Sequence, residues 1–281
     1  MLVSTVMPSL SDALNSFSAV VLTGGSSGIG KSFIKLGSRL SPQLVFCNLS
    51  RREPERKNDE ISGAFLKHFS CDLSQPDALA QTVPEVVRWL EREVPEGRIL
   101  LINNSGFGAF GAFPEPNLHR QLEMIDVNVK AVVELTGLLL PLLLRRGGAV
   151  MNIASTIAYQ PSAFAATYGA TKAFVLHWTL ALNEELRGTN VRALAVCPGT
   201  TRTEFFRTAG LGQGAVLESF SMTTDEVVTS AFHALARGRA QVVPGWLNKL
   251  YTFAGARLPK PLAARLSGKI LRQRSSGFAQ P

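Results

Sequence analysis

Ala19-Val20-Val21-Leu22-Thr23-Gly24-Gly25-Ser26-Ser27-Gly28-Ile29-Gly30 is the stretch that decides the fold. An apolar run of strand character passes straight into a glycine-spaced turn, and residues 29–40 then follow the apolar period of a helix. The glycines therefore fall in a strand-to-helix turn. Gly24 can adopt a backbone geometry closed to other residues, Gly28 lets a pyrophosphate approach the helix N-terminus, and Gly30 lets helix and strand pack closely. The spacing is G-x-x-x-G-x-G rather than G-x-G-x-x-G, which narrows the kind of dinucleotide site it builds.

Outward from this turn, strand-like runs recur at 44–46, 65–69, 99–102, 149–153, 191–196 and 241–243. Helix-period segments alternate with them at about 76–92, 117–144, 164–187 and 224–237. Strands that are apolar on both faces, alternating with helices, predict a doubly wound α/β fold, a parallel sheet of about seven strands with helices on both faces. Ligands should collect at the carboxyl ends of the strands. The 281 residues, 46% hydrophobic, show no repeat or low-complexity linker, so 1–281 reads as a single domain. Its parts are a core over about 18–245, a substrate lid over about 203–221 and a C-terminal extension over about 246–281.

The net charge of +8 is not spread over the chain. Residues 1–226 hold 20 Lys and Arg against 21 Asp and Glu, whereas residues 227–281 hold 9 against none. A slightly acidic body with a cationic tail argues against a nucleic-acid surface and for a local patch. Cys47, Cys71 and Cys197 lie in or beside apolar runs and form no disulfide framework, which suits a reduced, cytoplasmic protein. His119, His177 and His233 have no metal-ligand spacing, so no metal site is expected. The apolar stretch 135–144 is too short to span a bilayer and reads as a buried helix.

The ends of the later strands carry the remaining chemistry. After the second strand stand Ser50-Arg51-Arg52, where an acidic residue would bind a ribose 2′-hydroxyl. Arg51 and Arg52 can instead clamp a 2′-phosphate, which favours NADP(H) over NAD(H); the alternative is a solvated loop. Asp72 after the third strand could accept a hydrogen bond from the adenine amino group, or cap a helix. Asn103-Asn104-Ser105-Gly106 ends the fourth with small polar residues against which a cofactor could lie. Thirteen residues after Ser155 come Tyr168 and Lys172, one helical turn apart on one face, so an ammonium can stabilise a phenolate.

Taken together, these residues resemble the short-chain dehydrogenase/reductase superfamily in its common single-domain form, over about residues 18–245. The resemblance rests on T-G-x-x-x-G-I-G at 23–30, Asp72, N-N-x-G at 103–106, Asn128, Ser155, Y-x-x-x-K at 168–172 and Pro198-Gly199-Thr200-Thr201-Arg202-Thr203. It implies an oxidoreductase that moves a hydride between NADP(H) and a carbonyl or secondary alcohol. Tyr168 would protonate the carbonyl oxygen, Lys172 would lower the Tyr168 pKa and bind the nicotinamide ribose, and Ser155 would hydrogen-bond the carbonyl. Asn128 would hold a water linking Lys172 to solvent. Around the cofactor it would set Thr23, Gly24, Ser26, Ser27, Gly28, Ile29, Gly30, Arg51, Arg52, Asp72, Leu73, Asn103, Ser105, Gly106, Pro198, Gly199, Thr201 and Thr203. Two positions depart from the family pattern, Ser105 in place of alanine and Thr201 in place of an aliphatic residue.

Phe107, Ile157, Phe164, Phe205 and Phe206 are expected at the substrate rim, which points to an apolar substrate, a ketone, 3-oxoacyl or hydroxysteroid-like compound. The segment 104–108, the Thr-Arg-Thr-Glu-Phe run and the basic tail look like the acyl-chain and hydroxysteroid-type ketoreductases. The tail reads as short amphipathic helices broken near Pro259 and Pro261. It could pack on the body or a second subunit, or meet an anionic membrane or an acidic partner such as an acyl carrier protein. Family members are often homo-oligomers, dimers or tetramers, joined through 117–144 and 164–187. Two other readings stay open, a non-catalytic dinucleotide-sensing protein and a membrane-peripheral protein localised by its tail.

Overall fold

The computed structural model describes residues 10–55, 64–205, 209 and 221–274. A short helix α1 (Leu10–Asn15) precedes β1 (Phe17–Thr23), α2 (Gly28–Leu40), β2 (Val45–Ser50), β3 (Phe65–Ser70), α3 (Ala78–Glu93) and β4 (Arg98–Asn103). A long helical segment follows, α4 (Leu118–Ile125), a π-helical turn (Asp126–Lys130) and α5 (Ala131–Arg146). Then come β5 (Gly148–Ile153), a 3₁₀ turn (Thr156–Tyr159), α6 (Ala166–Glu185), β6 (Val191–Val196), α7 (Thr224–Ala236) and β7 (Gln241–Val242). The tail forms α8 (Trp246–Arg257) and α9 (Lys260–Arg274).

All seven strands pair in parallel in the order β3-β2-β1-β4-β5-β6-β7. The order reverses between β1 and β4, so the crevice expected of a doubly wound sheet opens above the glycine turn. Successive residues of a strand point to opposite faces, and both faces here are covered. Val20, Leu22, Phe46, Leu100 and Met151 pack beneath α2 and α7. Val21, Cys47, Leu49, Leu101 and Val150 pack beneath α3 and α5. Phe33 on α2 meets Phe232 on α7 edge-on at 5.5 Å, and Lys35 pairs with Asp225 at the rim of the same contact.

The 118–146 segment is long and apolar enough to cross a membrane, but its Leu135, Leu139, Leu142 and Leu143 are buried in the core, as read from the sequence. Its π turn is a departure from the uniform helix expected over 117–144. The tail breaks at Leu258-Pro259, close to the expected position, while Pro261 is accommodated in the first turn of α9, where a missing N–H leaves no bond broken. Cys47, Cys71 and Cys197 are buried free thiols.

Strand ends are tied together by a buried polar chain. Asn103 Nδ2 donates to Asn152 Oδ1 at 2.8 Å and to Thr136 Oγ1 at 3.0 Å, and Asn152 Nδ2 donates to Thr179 Oγ1 at 2.8 Å. This links β4, β5, α5 and α6 just below the crevice. Asn152→Ala would remove one partner from each of two buried groups, which keep Thr136 and the Val175 carbonyl, so at about 1 kcal/mol or somewhat more for each lost bond urea unfolding should show a loss of roughly 2–4 kcal/mol. A loss below about 0.5 kcal/mol would mean that these groups find other partners.

Candidate active site

A cavity of about 820 Å³ lies along the carboxyl ends of the strands. Each strand from β1 to β6 delivers its following loop to the wall: Gly24 to Ile29 apart from Gly25, Ser50 to Arg52, Cys71 to Leu73, Asn104 to Phe107, Ala154 to Ile157, and Pro198 to Thr203 apart from Arg202. Because β2 and β5 stand three strands apart, Arg51 and Ser155 are separated by about 14 Å along the sheet edge, at about 4.8 Å per strand.

The glycine turn is held open from beneath. Gly24 has φ +73° and Gly28 φ +53°, a region that side-chain-bearing residues rarely adopt. A Cβ on Gly24 would lie 2.7 Å from Ser105 Oγ, and one on Gly30 would collide with the Gly24 carbonyl. Gly25 N donates to Asn48 Oδ1 at 2.7 Å, and Asn104 Nδ2 donates to the Thr23 and Gly24 carbonyls. Thr23 Oγ1 accepts from Asn104 N and Ser105 N. Helix α2 begins at Gly28 behind Ser27, which points its first N–H groups at the cavity. This cradle fits a dinucleotide pyrophosphate.

At the other end, Tyr168, on the first turn of α6, hydrogen-bonds the Ser155 hydroxyl; burial pushes its phenol up to about 12, with Ser155 pulling the other way. Lys172 Nζ donates to the Ile153 carbonyl at 2.8 Å, and burial pushes its ammonium down to about 8. The spacing had suggested that Lys172 acidifies Tyr168. In the structure burial outweighs any such effect, because a desolvated site disfavours both charged forms. Asn128 is buried on the π turn; its Nδ2 donates to the Phe107 carbonyl at 2.9 Å and to Thr171 Oγ1 at 3.1 Å, and its Oδ1 accepts from Phe107 N at 3.1 Å. Its side chain therefore fastens the backbone after β4 to α6. A Cβ on Gly106 would lie 2.9 Å from Asn128 Oδ1 and 3.2 Å from Lys172 Nζ, so glycine there clears the space over both.

Other expected contacts divide. Ser26, Ser27, Ile29, Leu73, Ser105, Pro198, Gly199, Thr201 and Thr203 line the cavity, as do Phe107, Ile157 and Phe205. Asp72 lines it too and is not a helix cap: its Oδ1 accepts from Ser74 N and Oγ, while α3 starts at Ala78. Three positions are corrected. Asn103, the last residue of β4, is not on the wall but in the polar chain beneath it, its amide turned toward Thr136 and Asn152. Thr23 supports the turn and does not line the cavity. Phe164, at φ +62°, faces Gly268 and a smaller neighbouring pocket. Phe206 and most of the 203–221 lid lie outside the described residues.

Several wall residues went unread. Asn104 reads from the sequence only as a small polar residue, and beneath the wall Asn48, buried on β2, has no motif around it. The tail contributes Leu247, Asn248, Tyr251, Ser267, Ile270 and Leu271, so it closes the cavity, which its charge pattern does not reveal. Arg120 lies over the Phe107 ring at 3.8 Å and pairs with Glu123 at the same wall.

Compared with known proteins, residues 18–213 match the family described as short chain dehydrogenase. The chain is 28% identical over 262 residues to ketoacyl reductase HetN of Nostoc sp., covering 84% of this chain and 88% of that protein. It is 29% identical over 198 residues to serine 3-dehydrogenase of Agrobacterium fabrum, covering 68% and 76%. Among solved structures, a short-chain dehydrogenase from Sphingobium yanoikuyae in complex with NADPH superposes with a TM-score of 0.69 at 28% identity, over 86% of this chain and 94% of that one.

The displaced pKa of Lys172 makes stability depend on pH. Its folded value, about 8, lies below the ordinary 10.5, so the native state is penalised at neutral pH and the penalty is relieved as pH rises from about 8 to 10.5. Unfolding free energy of the cofactor-free protein should climb between about pH 8 and 9, above which the buried Cys47, Cys71 and Cys197 thiols, raised by burial, turn the slope downward; Lys172→Met should flatten the climb. An unchanged slope in the variant would place the titrating group elsewhere.

Proposed function

Because this chain belongs to the short chain dehydrogenase family and is thus an NAD(P)-dependent oxidoreductase, we propose that it is an NADPH-dependent reductase of an apolar ketone or aldehyde. The observation that carries this reading is one cavity with two guanidinium groups at one end and a Ser155–Tyr168 hydrogen bond beside a buried ammonium at the other.

NADPH supplies a hydride to the substrate carbon when bound. The chain's own residues govern the proton. A phenol held near 12 is protonated at neutral pH, the state required of a donor to a carbonyl oxygen. Ser155 Oγ, positioned by Ile157 N at 3.3 Å, supplies the second hydrogen bond to that oxygen as charge builds on it. Once Tyr168 gives up its proton, the phenolate is stabilised by Ser155 and by the Lys172 charge; a lysine poised near 8 is suited to relay the replacement proton. Asn128 acts as a positioning residue, holding Phe107 and α6 in register.

Arg51 and Arg52 are exposed at the wall, where guanidinium groups would hold the adenosine 2′-phosphate, and the NADPH in the Sphingobium relative agrees with that choice. Phe107, Phe110, Ile157 and Phe205 make the substrate end apolar, which favours a ketone of the 3-oxoacyl or hydroxysteroid type, in keeping with the name of the Nostoc relative. The tail helices wall the cavity, so the chain is read as one catalytic unit. Val133 and Leu144 of α5, with Phe174 stacked on Trp178 of α6, leave apolar surface outward and support self-association, and the buried thiols suit a cytoplasmic setting.

Tyr168→Phe should lower turnover roughly a hundredfold to ten-thousandfold with NADPH affinity unchanged, in an NADPH-oxidation screen over 3-oxoacyl thioesters, steroids and simple ketones. Retained turnover would remove Tyr168 from the chemistry. Arg51→Ala with Arg52→Ala should raise the KM for NADPH at least about tenfold, from the loss of charge-assisted bonds of about 1.5–3 kcal/mol, and leave that for NADH alone. Equal effects on both cofactors would refute the 2′-phosphate clamp.

A further inference from the structure

Helices α8 and α9 are amphipathic in the reverse of the usual sense. Small residues face the body: Thr252 and Gly255 of α8 and Ala263 and Gly268 of α9 are buried. A Cβ on Gly255 would collide with Gln160, one on Gly268 would lie 3.3 Å from Ala163, and Ala163 N donates to Ser267 Oγ at 3.1 Å. Both helices thus press on the same segment, residues 159–164, and their opposite faces point away from the body together. Those outer faces carry the large apolar side chains. Trp246, Leu250 and Phe253 are 68%, 58% and 59% exposed at the i, i+4, i+7 spacing of one helix face. Leu262 and Leu266 of α9, also exposed and one turn apart, extend the stripe.

Cations are interleaved with this stripe. Residues 246–281 hold seven Lys and Arg and no Asp or Glu. Lys249, Arg265 and Lys269 are exposed, and Arg257 lies over the Phe253 ring at 3.5 Å. A face-to-face pair of such tails would oppose cation with cation, which disfavours a second copy as the occupant. An exposed stripe of tryptophan, phenylalanine and leucine interleaved with cations matches the boundary of an anionic bilayer, where aromatic rings sit at headgroup depth and lysine and arginine meet lipid phosphates.

We propose that the outer faces of α8 and α9 seat this protein on an anionic phospholipid surface. The seat does not depend on turnover. The intact protein with bound NADPH is sedimented with vesicles of phosphatidylcholine alone, or of equal parts phosphatidylcholine and phosphatidylglycerol. Wild type should bind the anionic vesicles far more strongly, with binding falling as salt is raised. Replacing Lys249, Arg265 and Lys269 together by Gln should weaken partition about a hundredfold, from about 1 kcal/mol for each cation. Trp246→Ser with Leu250→Ser and Phe253→Ser should weaken it independently, and both variants should still titrate with NADPH, which reports their fold. Tyr168→Phe should bind vesicles as wild type does, so that failure of the reductase reading and failure of the seat are told apart. The proposal is overturned if wild type stays in solution with anionic vesicles, if both tail variants bind undiminished, or if those variants instead dissociate a dimer in vesicle-free sedimentation velocity.

Discussion

The hydrogen bonding of residues 23–30 is the constraint on which the site depends. A turn wide enough to receive a pyrophosphate cannot satisfy its own backbone groups, and an unpaired buried amide or carbonyl is costly. Here the neighbours satisfy it from below: Asn48 from β2, Asn104 after β4, and Thr23 bridging back to 104 and 105. The polar demand of the turn is met on its sheet side, which leaves its glycine-cleared side turned to the cavity. Close packing of Gly30 against Gly24 then sets where α2 begins, and with it the direction of its first N–H groups.

A second fastening works at the far end. The π turn at 126–130 carries Asn128 to the backbone of Phe107 and to Thr171, so the loop after β4 and the start of α6 share one side chain. Tyr168 and Lys172 lie on that same stretch of α6, and the Asn103–Asn152–Thr179 chain secures the strands beneath it. A reacting group needs placement to a fraction of an ångström, and buried hydrogen bonds between elements supply it where apolar contacts alone would allow slippage.

Legibility followed the physics of each signal. Strands and helices were readable because a sheet covered on both faces requires continuous apolar strands, and the glycine turn because few other jobs require three glycines at that spacing. Tyr168 and Lys172 were readable from helical geometry, and Ser155 and Asn128 only through their resemblance to a family pattern. Asn48 and Thr23 were harder, since a buried polar group that serves a distant backbone leaves no local periodicity. Asn103 ends β4 with its amide in the buried polar chain, a placement set by Thr136 and Asn152 far away in the sequence and not by its neighbours. The rise of the Tyr168 phenol to about 12 was not legible for a related reason: burial is a property of the whole fold, and four residues of helix do not contain it.

The match to the family ends at residue 213, yet α8 and α9 form part of the wall, and Asn248 lies so close to Gly199 that a Cβ there would collide with it. The cavity wall after β6 and the tail are therefore fitted parts, although they stand far apart in the chain. Selection can reshape what enters by altering Leu247, Tyr251 or Ile270 while Ser155, Tyr168 and Lys172 stay untouched. A tail grafted from a relative would, by the same fit, have to bring a compatible partner for Gly199, which makes the last helices an inherited companion of the turn after β6 and not an exchangeable module.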